Sequence, residues 1–567
     1  MRKQVAAALT AVATAAMGVG FVAPAHADLS QDHVVSENPM DATPNVRDGT
    51  VRDFAIVGNK VVVAGTFTTV RNHGNATNYT HRGIFAFNRT TGKLDQAFDP
   101  KVNGNVNALA AGSDGTVYAG GTFTTVNGAA QRGVVQLKVS DGSTVAAFSK
   151  SRLNGGVFAL DRSGSQLYVG GLFTKATSAA HAGVARLNAT TGKADANFDI
   201  QVSEPWRGAL RVGEIAVDPL GSRLVMTGSF RQVNGESRPQ AAVIDTSGDK
   251  AKLADWRAGG FNKKCQAKVD YYARDVDFSP DGNYFDIVST GGHAVSGSDK
   301  DTICDSATRW KADATGNDVQ PVWVNHTGGD SLYSVADTGA AVYVGGHERW
   351  LDNPNGHDSK GPGAVDRPGI GAISPSSGKA LSWNPTKDRG HGAEALVASS
   401  DGLYVGSDTD HIGGEWHQKV GFLPLPDTDE GGSVPAGGGD GKKVDDDSGK
   451  QQPAPGHPGH KVTKPAHHGK SHHGKSHHRR HLTMPSDQSA NSPVVRHENP
   501  SALPAGVPDS MHGMGPAVRS MNRSDELPFT GAPIALSAAV ALALILGGGG
   551  FMYYSRRTRK SAEEPLD

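Results

Sequence analysis

One pattern recurs along most of this 567-residue chain, between residues 51 and 426. Each copy has an apolar segment, a short polar turn, a second apolar segment that ends in glycine, a variable loop and a third apolar segment. The clearest copy spans residues 106–137 and has Ser113-Asp114-Gly115 as its turn. An Asp-Gly pair between two alternating apolar runs is a good β-hairpin signal. The repeat therefore predicts a chain built from short antiparallel strands.

The glycine that ends the second apolar segment marks seven copies of the pattern, 50 to 63 residues apart. Its positions are Gly65, Gly120, Gly170, Gly228, Gly291, Gly345 and Gly406. Seven units of three or four strands each predict an all-β fold, a seven-bladed β-propeller within residues 28–426. Glycine at this place would let neighbouring blades approach closely near an axis. A two-sheet sandwich and a β-solenoid are the alternatives, but a sandwich would not repeat seven times and solenoid repeats are usually shorter.

Three phrases carry a resemblance to a known family: residues 118–124, residues 168–174 and residues 187–192. The first two read Tyr-Ala-Gly-Gly-Thr-Phe-Thr and Tyr-Val-Gly-Gly-Leu-Phe-Thr, and the third reads Leu-Asn-Ala-Thr-Thr-Gly. With these phrases the chain resembles the delta-60 family of bacterial secreted β-propellers, over most of residues 50–425. The resemblance implies a propeller but no reaction and no cofactor, because that family is defined by its fold.

The first 27 residues have the features of a secretory signal peptide. Arg2 and Lys3 precede an apolar, alanine-rich run over residues 5–22, and Ala25-His26-Ala27 forms an A-x-A cleavage pattern. We therefore expect residues 1–27 to be removed on secretion. A retained membrane anchor is the alternative, which the short apolar run and the well-formed cleavage site disfavour.

The far end of the chain carries three features in order. Leu527, Pro528, Phe529, Thr530 and Gly531 precede an apolar run over residues 532–554, and a basic tail follows over residues 555–567. At ~1.5 Å per residue, the run is long enough for a transmembrane helix across the ~30 Å hydrocarbon core. The basic tail is expected to stay on the cytoplasmic side. This arrangement is similar to the sorting signal of sortase-anchored surface proteins of Gram-positive bacteria.

The similarity to a sorting signal implies two partners, sortase and peptidoglycan. Sortase would cut between Thr530 and Gly531 and join the Thr530 carbonyl to an amine of the cell wall. The protein would then be a secreted, peptidoglycan-anchored surface protein, and only its precursor would lie in the membrane. The alternative is a permanent single-pass membrane protein.

Residues 427–526 contain no Phe, Trp or Tyr and are rich in Gly, Pro, Ser, Asp and His. Such a segment cannot bury enough apolar surface to offset its ordering entropy, so we predict a disordered stalk that spans the wall. Paired histidines recur in it: His467, His468, His472, His473, His477 and His478. Imidazole pairs can bind zinc, copper or nickel. We favour a solvated basic spacer instead, because disordered ligands offer no fixed geometry.

Charge and motifs narrow the function classes. A formal net charge of -1 excludes a nucleic-acid binder that relies on a basic surplus. No Walker loop, nucleophile elbow, H-E-x-x-H or EF-hand pattern occurs, and no cofactor is expected. Two classes remain: a wall-displayed module that binds a glycan or protein, and an extracellular lyase, hydrolase or dehydrogenase. The missing catalytic signature favours binding, although propeller enzymes collect their residues from several blades. A passive spacer or coat is a third reading.

Cys265 and Cys304 are the two cysteines of the chain. Secretion would place them in an oxidising compartment with no third cysteine to compete, so we predict one disulfide. The bond would stabilise the most divergent repeat by about 3–4 kcal/mol through the chain entropy of the unfolded state.

Repeats 6 and 7 depart from the others at one core position. Repeats 1–4 have phenylalanine there (Phe67, Phe123, Phe173 and Phe230), whereas repeat 6 has Glu348. A polar group at a core position is costly unless it meets a partner, water or a ligand. We therefore predict a ligand face, formed by His347, Glu348, Arg349, Arg389, Asp408, Asp410 and His411. The alternative is a self-contained salt-bridge cluster that closes the ring, with Trp350 in the space left by the phenylalanine.

The two ends of the folded region are expected to meet. Residues 34–46 resemble the end of a repeat, while residues 420–423 leave repeat 7 one strand short. Pairing the two ends would cover an open sheet edge and tie the ring shut.

Overall fold

The computed structural model describes residues 30–177, 179–295 and 302–426. Within these ranges the protein is all-β, as predicted, and its only helical element is a single 3₁₀ turn at Gly259–Asn262. The predicted signal peptide, the stalk, the sorting motif and the span over residues 532–554 lie outside the described residues.

A search of the described ranges finds no helix that is both long enough and apolar enough to cross a bilayer.

Seven antiparallel sheets of three or four strands follow one another along the chain and are called sheets 1 to 7 here. Sheets 1 to 3 comprise Val51–Val57, Lys60–Gly65 and Ile84–Asn88; Val106–Ala111, Thr116–Gly121 and Val134–Lys138; and Gly156–Ser163, Gln166–Leu172 and Val184–Asn188. Sheets 4 and 5 comprise Arg211–Val217, Arg223–Ser229, Ala241–Asp245 and Lys252–Leu253; and Ala273–Phe278, Tyr284–Ser289, Ser306–Lys311 and Trp323–His326. Sheets 6 and 7 comprise Leu332–Asp337, Val342–Gly346 and Ile370–Ile373; and Ala393–Ser399, Gly402–Ser407 and Val420–Pro424.

Short strands in the loops form smaller sheets beside the large ones. They are Asn45–Val46, Thr69–Arg71 and Tyr79–Thr80; Thr125–Val126 and Ala129–Ala130; Lys175–Ala176 and Ala179–Ala180; Val202–Ser203, Gln232–Val233 and Glu236–Ser237; Trp350–Leu351 and Val365–Asp366; and His411–Ile412 and Glu415–Trp416.

The sheets form a ring around their first strands. The first strand of each sheet contacts the first strand of the next, and that of sheet 7 contacts that of sheet 1. The repeated glycines allow this approach. A Cβ atom at Gly120 would lie 2.6 Å from Val157 in sheet 3, and one at Gly406 would lie 2.7 Å from Val51 in sheet 1. At these positions the predicted close approach of neighbouring sheets is present.

A separate apolar core fills the space between each pair of neighbouring sheets. The core between sheets 7 and 1 contains Phe54, Phe85, Tyr404 and Phe422. The four phenylalanines that the sequence placed at a regular core position are buried in all cases: Phe67, Phe123, Phe173 and Phe230. The strand patterns therefore predicted the main packing surfaces correctly.

The N-terminal segment runs along the outer edge of sheet 7, where the sequence analysis expected it. The amide of Met40 donates to the Phe422 carbonyl at 2.8 Å, and that of Ser36 donates to the Pro424 carbonyl at 2.7 Å. Between residue 30 and Asn45 no regular strand forms, because two prolines in this segment lack an amide hydrogen and interrupt the ladder. The two ends of the folded region therefore meet through single backbone hydrogen bonds and not through a regular strand ladder.

The predicted disulfide is present. Cys265 and Cys304 are bonded, with their Cα atoms 5.8 Å apart. Both residues belong to the apolar core between sheets 4 and 5. The bond thus crosses the repeat that the sequence analysis found most divergent.

Candidate functional site

Every first strand has a break in its pairing near its start. The register shifts there in all seven sheets, so that one or two residues on the first strand have no partner across the ladder. Such a β-bulge redirects a side chain that would otherwise follow the pleat. The residues at these bulges are Arg52, Asn107, Phe158, Gly213, Arg274, Tyr333 and Glu394.

All seven bulge residues line one cavity of about 120 Å³. Because each comes from a different first strand of the ring, this cavity lies at the centre of the ring. We call it the channel mouth. Its other lining residues are Arg211, Glu214, Tyr271 and His391. A second cavity of about 150 Å³ shares Arg52, Phe158 and Glu394 with the mouth and continues along the same strands.

Aspartates in the second cavity join neighbouring first strands. One carboxylate oxygen of Asp53 accepts the Phe54 amide at 2.7 Å, and the other accepts the Leu109 amide of sheet 2 at 2.6 Å. Three other aspartates accept an amide from the next sheet in the same way: Asp161 from Val217, Asp275 from Val335 and Asp277 from Asp337. These carboxylates hold the ring together at its centre.

Burial strongly affects the acids in this region. Desolvation raises the pKa of Asp275 to about 7, although it accepts two backbone amides. Desolvation also raises the pKa of Glu214 well above its usual range, and the carboxylates of Asp275 and Asp53 add to this rise. Glu214 therefore holds its proton to a higher pH than an exposed glutamate does.

Glu394 is shifted in the opposite direction. Burial alone would raise its pKa, but the hydrogen bond from His391 and the charge of Arg52 hold the pKa below its usual range. The His391 Nδ1 atom lies 2.7 Å from a Glu394 oxygen. The two glutamate side chains of the channel mouth thus have pKa values shifted in opposite directions.

Aromatic and cationic side chains alternate on one wall of the mouth. Tyr271 lies between two guanidinium groups, with Arg211 5.1 Å and Arg274 5.0 Å from its ring centre. Gly213 makes room for this ring, because a Cβ atom there would lie 2.1 Å from the Tyr271 hydroxyl oxygen. Arg211 also donates to Asp270, whose side chain is partly exposed at the rim.

The adjoining wall is formed by sheets 6 and 7. The rings of Tyr333 and His391 stack with their centres 5.1 Å apart and their planes 12° apart. The side chain of His391 is 35% exposed, so this side of the mouth opens to solvent.

Three residues of the predicted ligand face form one polar network around a residue that the sequence analysis did not name. Asp330 accepts two hydrogen bonds from Arg349, at 2.8 and 3.0 Å, and one from Arg389 at 3.1 Å. Arg389 also donates to the His347 carbonyl at 2.5 Å. These groups satisfy one another, as expected of a salt-bridge cluster.

Glu348 lies in the interior beside this network. Its side chain is fully buried, and neither carboxylate oxygen has a hydrogen-bond partner among the described residues. Desolvation raises the pKa of Glu348 to about 8, and desolvation lowers the pKa of nearby Lys387 to about 8. Trp350 does not take over the core position, because it is only partly buried and carries the Arg349 guanidinium 4.2 Å above its ring.

The remaining members of the predicted face have separate partners. Asp408 accepts the amides of His391 and Gly392, whereas Asp410 pairs with Lys419. His411 lies 2.7 Å from a carboxylate oxygen of Asp388. These three residues hold loops in place, and no shared cavity joins them to Glu348 among the cavities that the structure describes.

The predicted ligand face did not include the residues that line the channel mouth. A signal was present in the aligned first strands. In every repeat, the residue that follows the first apolar position of the first strand is polar, aromatic or glycine. This is unusual because a first strand is packed against a neighbouring sheet on each side. That exception to the apolar pattern marks the side chains that face the channel.

No group of three or more His, Cys, Asp or Glu side chains in the described ranges is arranged to hold a metal ion. The paired histidines between His467 and His478 fall outside those ranges, as does the motif at residues 527–531.

Comparison with known proteins supports the fold. Residues 112–144 match a family model described as "Domain of unknown function (DUF5122) beta-propeller". No curated protein matches the sequence. Among solved structures, the crystal structure of the WD40 β-propeller domain of Doa1 is similar, with 13% identity and a TM-score of 0.41, over 69% of this chain and 97% of that chain. The family match and the ring of sheets agree on a β-propeller.

Proposed function

We propose that this chain is a secreted, wall-anchored protein that presents a seven-bladed β-propeller as a binding module. Each of the seven sheets is one blade, and the channel mouth is the ligand site. The proposal rests on the β-bulges in the first strands of the seven sheets. All seven first strands bring a bulge residue to one cavity, and all but Gly213 contribute a side chain, among them arginine, asparagine, tyrosine and phenylalanine. A rigid ring that collects varied polar and aromatic groups at one point suits ligand binding.

Anchoring to the wall is supported by the sequence alone. The signal peptide over residues 1–27 and the motif at residues 527–531 stand at opposite ends of the chain, in the order that sortase attachment requires. A Thr530→Ala variant should leave the protein in the membrane fraction, whereas the unchanged chain should be released only by peptidoglycan digestion. Equal release of both chains would contradict the anchoring.

The binding proposal is tested by substituting one aromatic residue on each of the two candidate surfaces. Phe158 lines the channel mouth, whereas Trp416 is 47% exposed and contacts His411 of the predicted ligand face. The full-length chain is screened against wall polymers, glycans and peptides, and each hit is measured again with Phe158→Ala and Trp416→Ala. We expect Phe158→Ala to weaken binding about tenfold, as for loss of a buried aromatic contact.

Unchanged affinity in Phe158→Ala with loss in Trp416→Ala would move the ligand site to repeats 6 and 7. Thermal melts of both variants serve as the folding control.

One observation favours the alternative of an extracellular lyase or hydrolase. The pKa of Glu214 is raised and that of Glu394 is lowered in the same cavity, and two carboxyl groups with pKa values pushed apart can serve as acid and base. Release of product from any bound glycan, abolished by Glu214→Gln and by Glu394→Gln, would establish this activity.

A further inference from the structure

Arg274 at the channel mouth has donors that the protein does not use. No hydrogen bond or ion pair of its guanidinium group is found among the described residues, and its buried Nε–H is without an acceptor. The ring of Tyr271 lies against its guanidinium group, and the charge of Arg274 also lowers the pKa of Glu394. Arg52, on the first strand of sheet 1, donates one hydrogen bond to Asn107 and also has a buried Nε–H without an acceptor. A buried guanidinium donor without an acceptor is costly, so these groups are suited to an incoming acceptor.

The acidic side chains around the mouth are already engaged. Asp53 and Asp275 each accept two backbone amides, and Glu394 is bound to His391. Asp270 pairs with Arg211 at the rim. Among the described residues, none of these carboxylates lies within ion-pair distance of Arg274. An anion from outside the protein would complete the arginine's hydrogen bonds.

The other lining residues indicate what kind of molecule should carry that anion. The rings of Phe158 and Tyr333 line the cavity, whereas the Tyr271 ring is enclosed between Arg211 and Arg274. Asn107 and His391 place polar groups beside them. Aromatic faces beside hydrogen-bonding groups suit a sugar ring, which has apolar C–H faces and a polar edge. The volume of about 120 Å³ is below the roughly 300–1,000 Å³ of sites for drug-sized ligands, so the mouth has room for one terminal unit only.

We propose that the channel mouth binds a single sugar residue bearing a carboxylate or a phosphate, with Arg274 as the anion-binding residue. This inference rests on the proposed function, since it assigns a ligand class to the same site. A planar guanidinium group can donate two parallel hydrogen bonds to either anion. The aromatic walls hold the ring, and Arg52 supplies a second cationic group.

The test uses the full-length chain and three probes: glucuronate, glucose 6-phosphate and glucose. Titration calorimetry should show that at least one anionic sugar binds about tenfold or more tightly than glucose, because charge-assisted bonds add to contacts that all three share. Arg274→Gln should remove this preference and leave any glucose affinity unchanged. The matched control is Arg132→Gln, at an exposed arginine in a loop of repeat 2, which should retain the preference.

Arg274→Lys provides a second variant if Arg274→Gln does not fold. It keeps the charge but loses the paired donors, and it should retain only part of the preference for the anion. The relative affinities for glucuronate and glucose 6-phosphate decide between carboxylate and phosphate.

Equal affinities for glucose and both anions, no binding of any probe, or an unchanged preference in Arg274→Gln would each overturn the inference. The proposed function fails separately, by the Phe158→Ala and Trp416→Ala comparison with the ligands found in the wider screen. A neutral ligand that binds at Phe158 would therefore refute the anionic class and leave the binding module standing.

Discussion

At the scale of single residues, Glu348 shows how one substitution in a repeat changes the chemistry of a core. Four repeats place phenylalanine at the equivalent position, and those side chains are buried. The sequence predicted correctly that a polar replacement there would be unusual. It could not predict that the carboxyl group would lie in the interior without a hydrogen-bond partner among the described residues, since that depends on the positions of the Lys387 and Arg389 side chains in the fold.

Glu348→Gln should change the pH dependence of stability. The carboxyl pKa is about 8 in the folded protein and 4.5 as its ordinary value, so the folded state holds a proton that the unfolded state has released between these pH values. Stability of the unchanged chain should therefore fall as pH rises from about 4.5 to 8, and the amide removes this loss. We expect the variant to be close to the unchanged chain near pH 5 and to be more stable by about 3–4 kcal/mol at pH 8.

Urea unfolding at pH 5 and pH 8 measures this difference. Lys387, Asp330 and Arg389 face Glu348 in both proteins. Asp114→Asn, on an exposed turn of repeat 2, is the control and should change stability equally at both pH values. If the Glu348→Gln variant has the same unfolding free energy as the unchanged chain at both pH values, Glu348 does not titrate in this range.

At the scale of strands and sheets, the glycine spacing and the apolar runs were sufficient to predict short strands and their cores. These two features did not predict the central channel. In some first strands the bulge inserts a single residue between two apolar neighbours, so that the apolar run remains recognisable, as in Val106-Asn107-Ala108. The partners of the axial aspartates are backbone amides about 55 to 60 residues away, and backbone amides leave no mark in a sequence.

Asp161→Ala should weaken the joint between sheets 3 and 4. Its carboxylate accepts the amide of Arg162 at 2.5 Å and that of Val217, on the next first strand, at 2.6 Å. Alanine leaves both buried amides without this acceptor, and we expect a loss of about 2–4 kcal/mol in unfolding free energy. Asp141→Ala is the control, because Asp141 also accepts an amide but within its own exposed turn. Similar denaturation midpoints for the two variants would refute a special role for the axial carboxylates.

At the scale of the whole molecule, the closure of the ring depends on both ends of the repeat region. The sequence indicated which segments meet, because the N-terminal residues resemble the end of a repeat that sheet 7 lacks. It did not indicate the anchoring contacts. Gln31 donates to the carbonyls of Ser399 and Gly402, and Thr43 donates to the carbonyl of Val420. These side-chain bonds replace the ladder that the prolines prevent.

A chain that starts at Arg47 should therefore melt far below one that starts at Ser30. The missing segment carries the backbone bonds from Ser36 and Met40 to the last strand, and it buries Val35 and Val46. Losing these contacts exposes a sheet edge and apolar surface, and we expect a loss of about 5 kcal/mol and a fall of about 10 °C in Tm. Adding residues 30–46 back as a separate peptide should restore part of the Tm, because the edge of sheet 7 would again be covered. Equal melting temperatures for the two chains would show that the ring holds without its N-terminal segment, through the contacts of the first strands of sheets 7 and 1 alone.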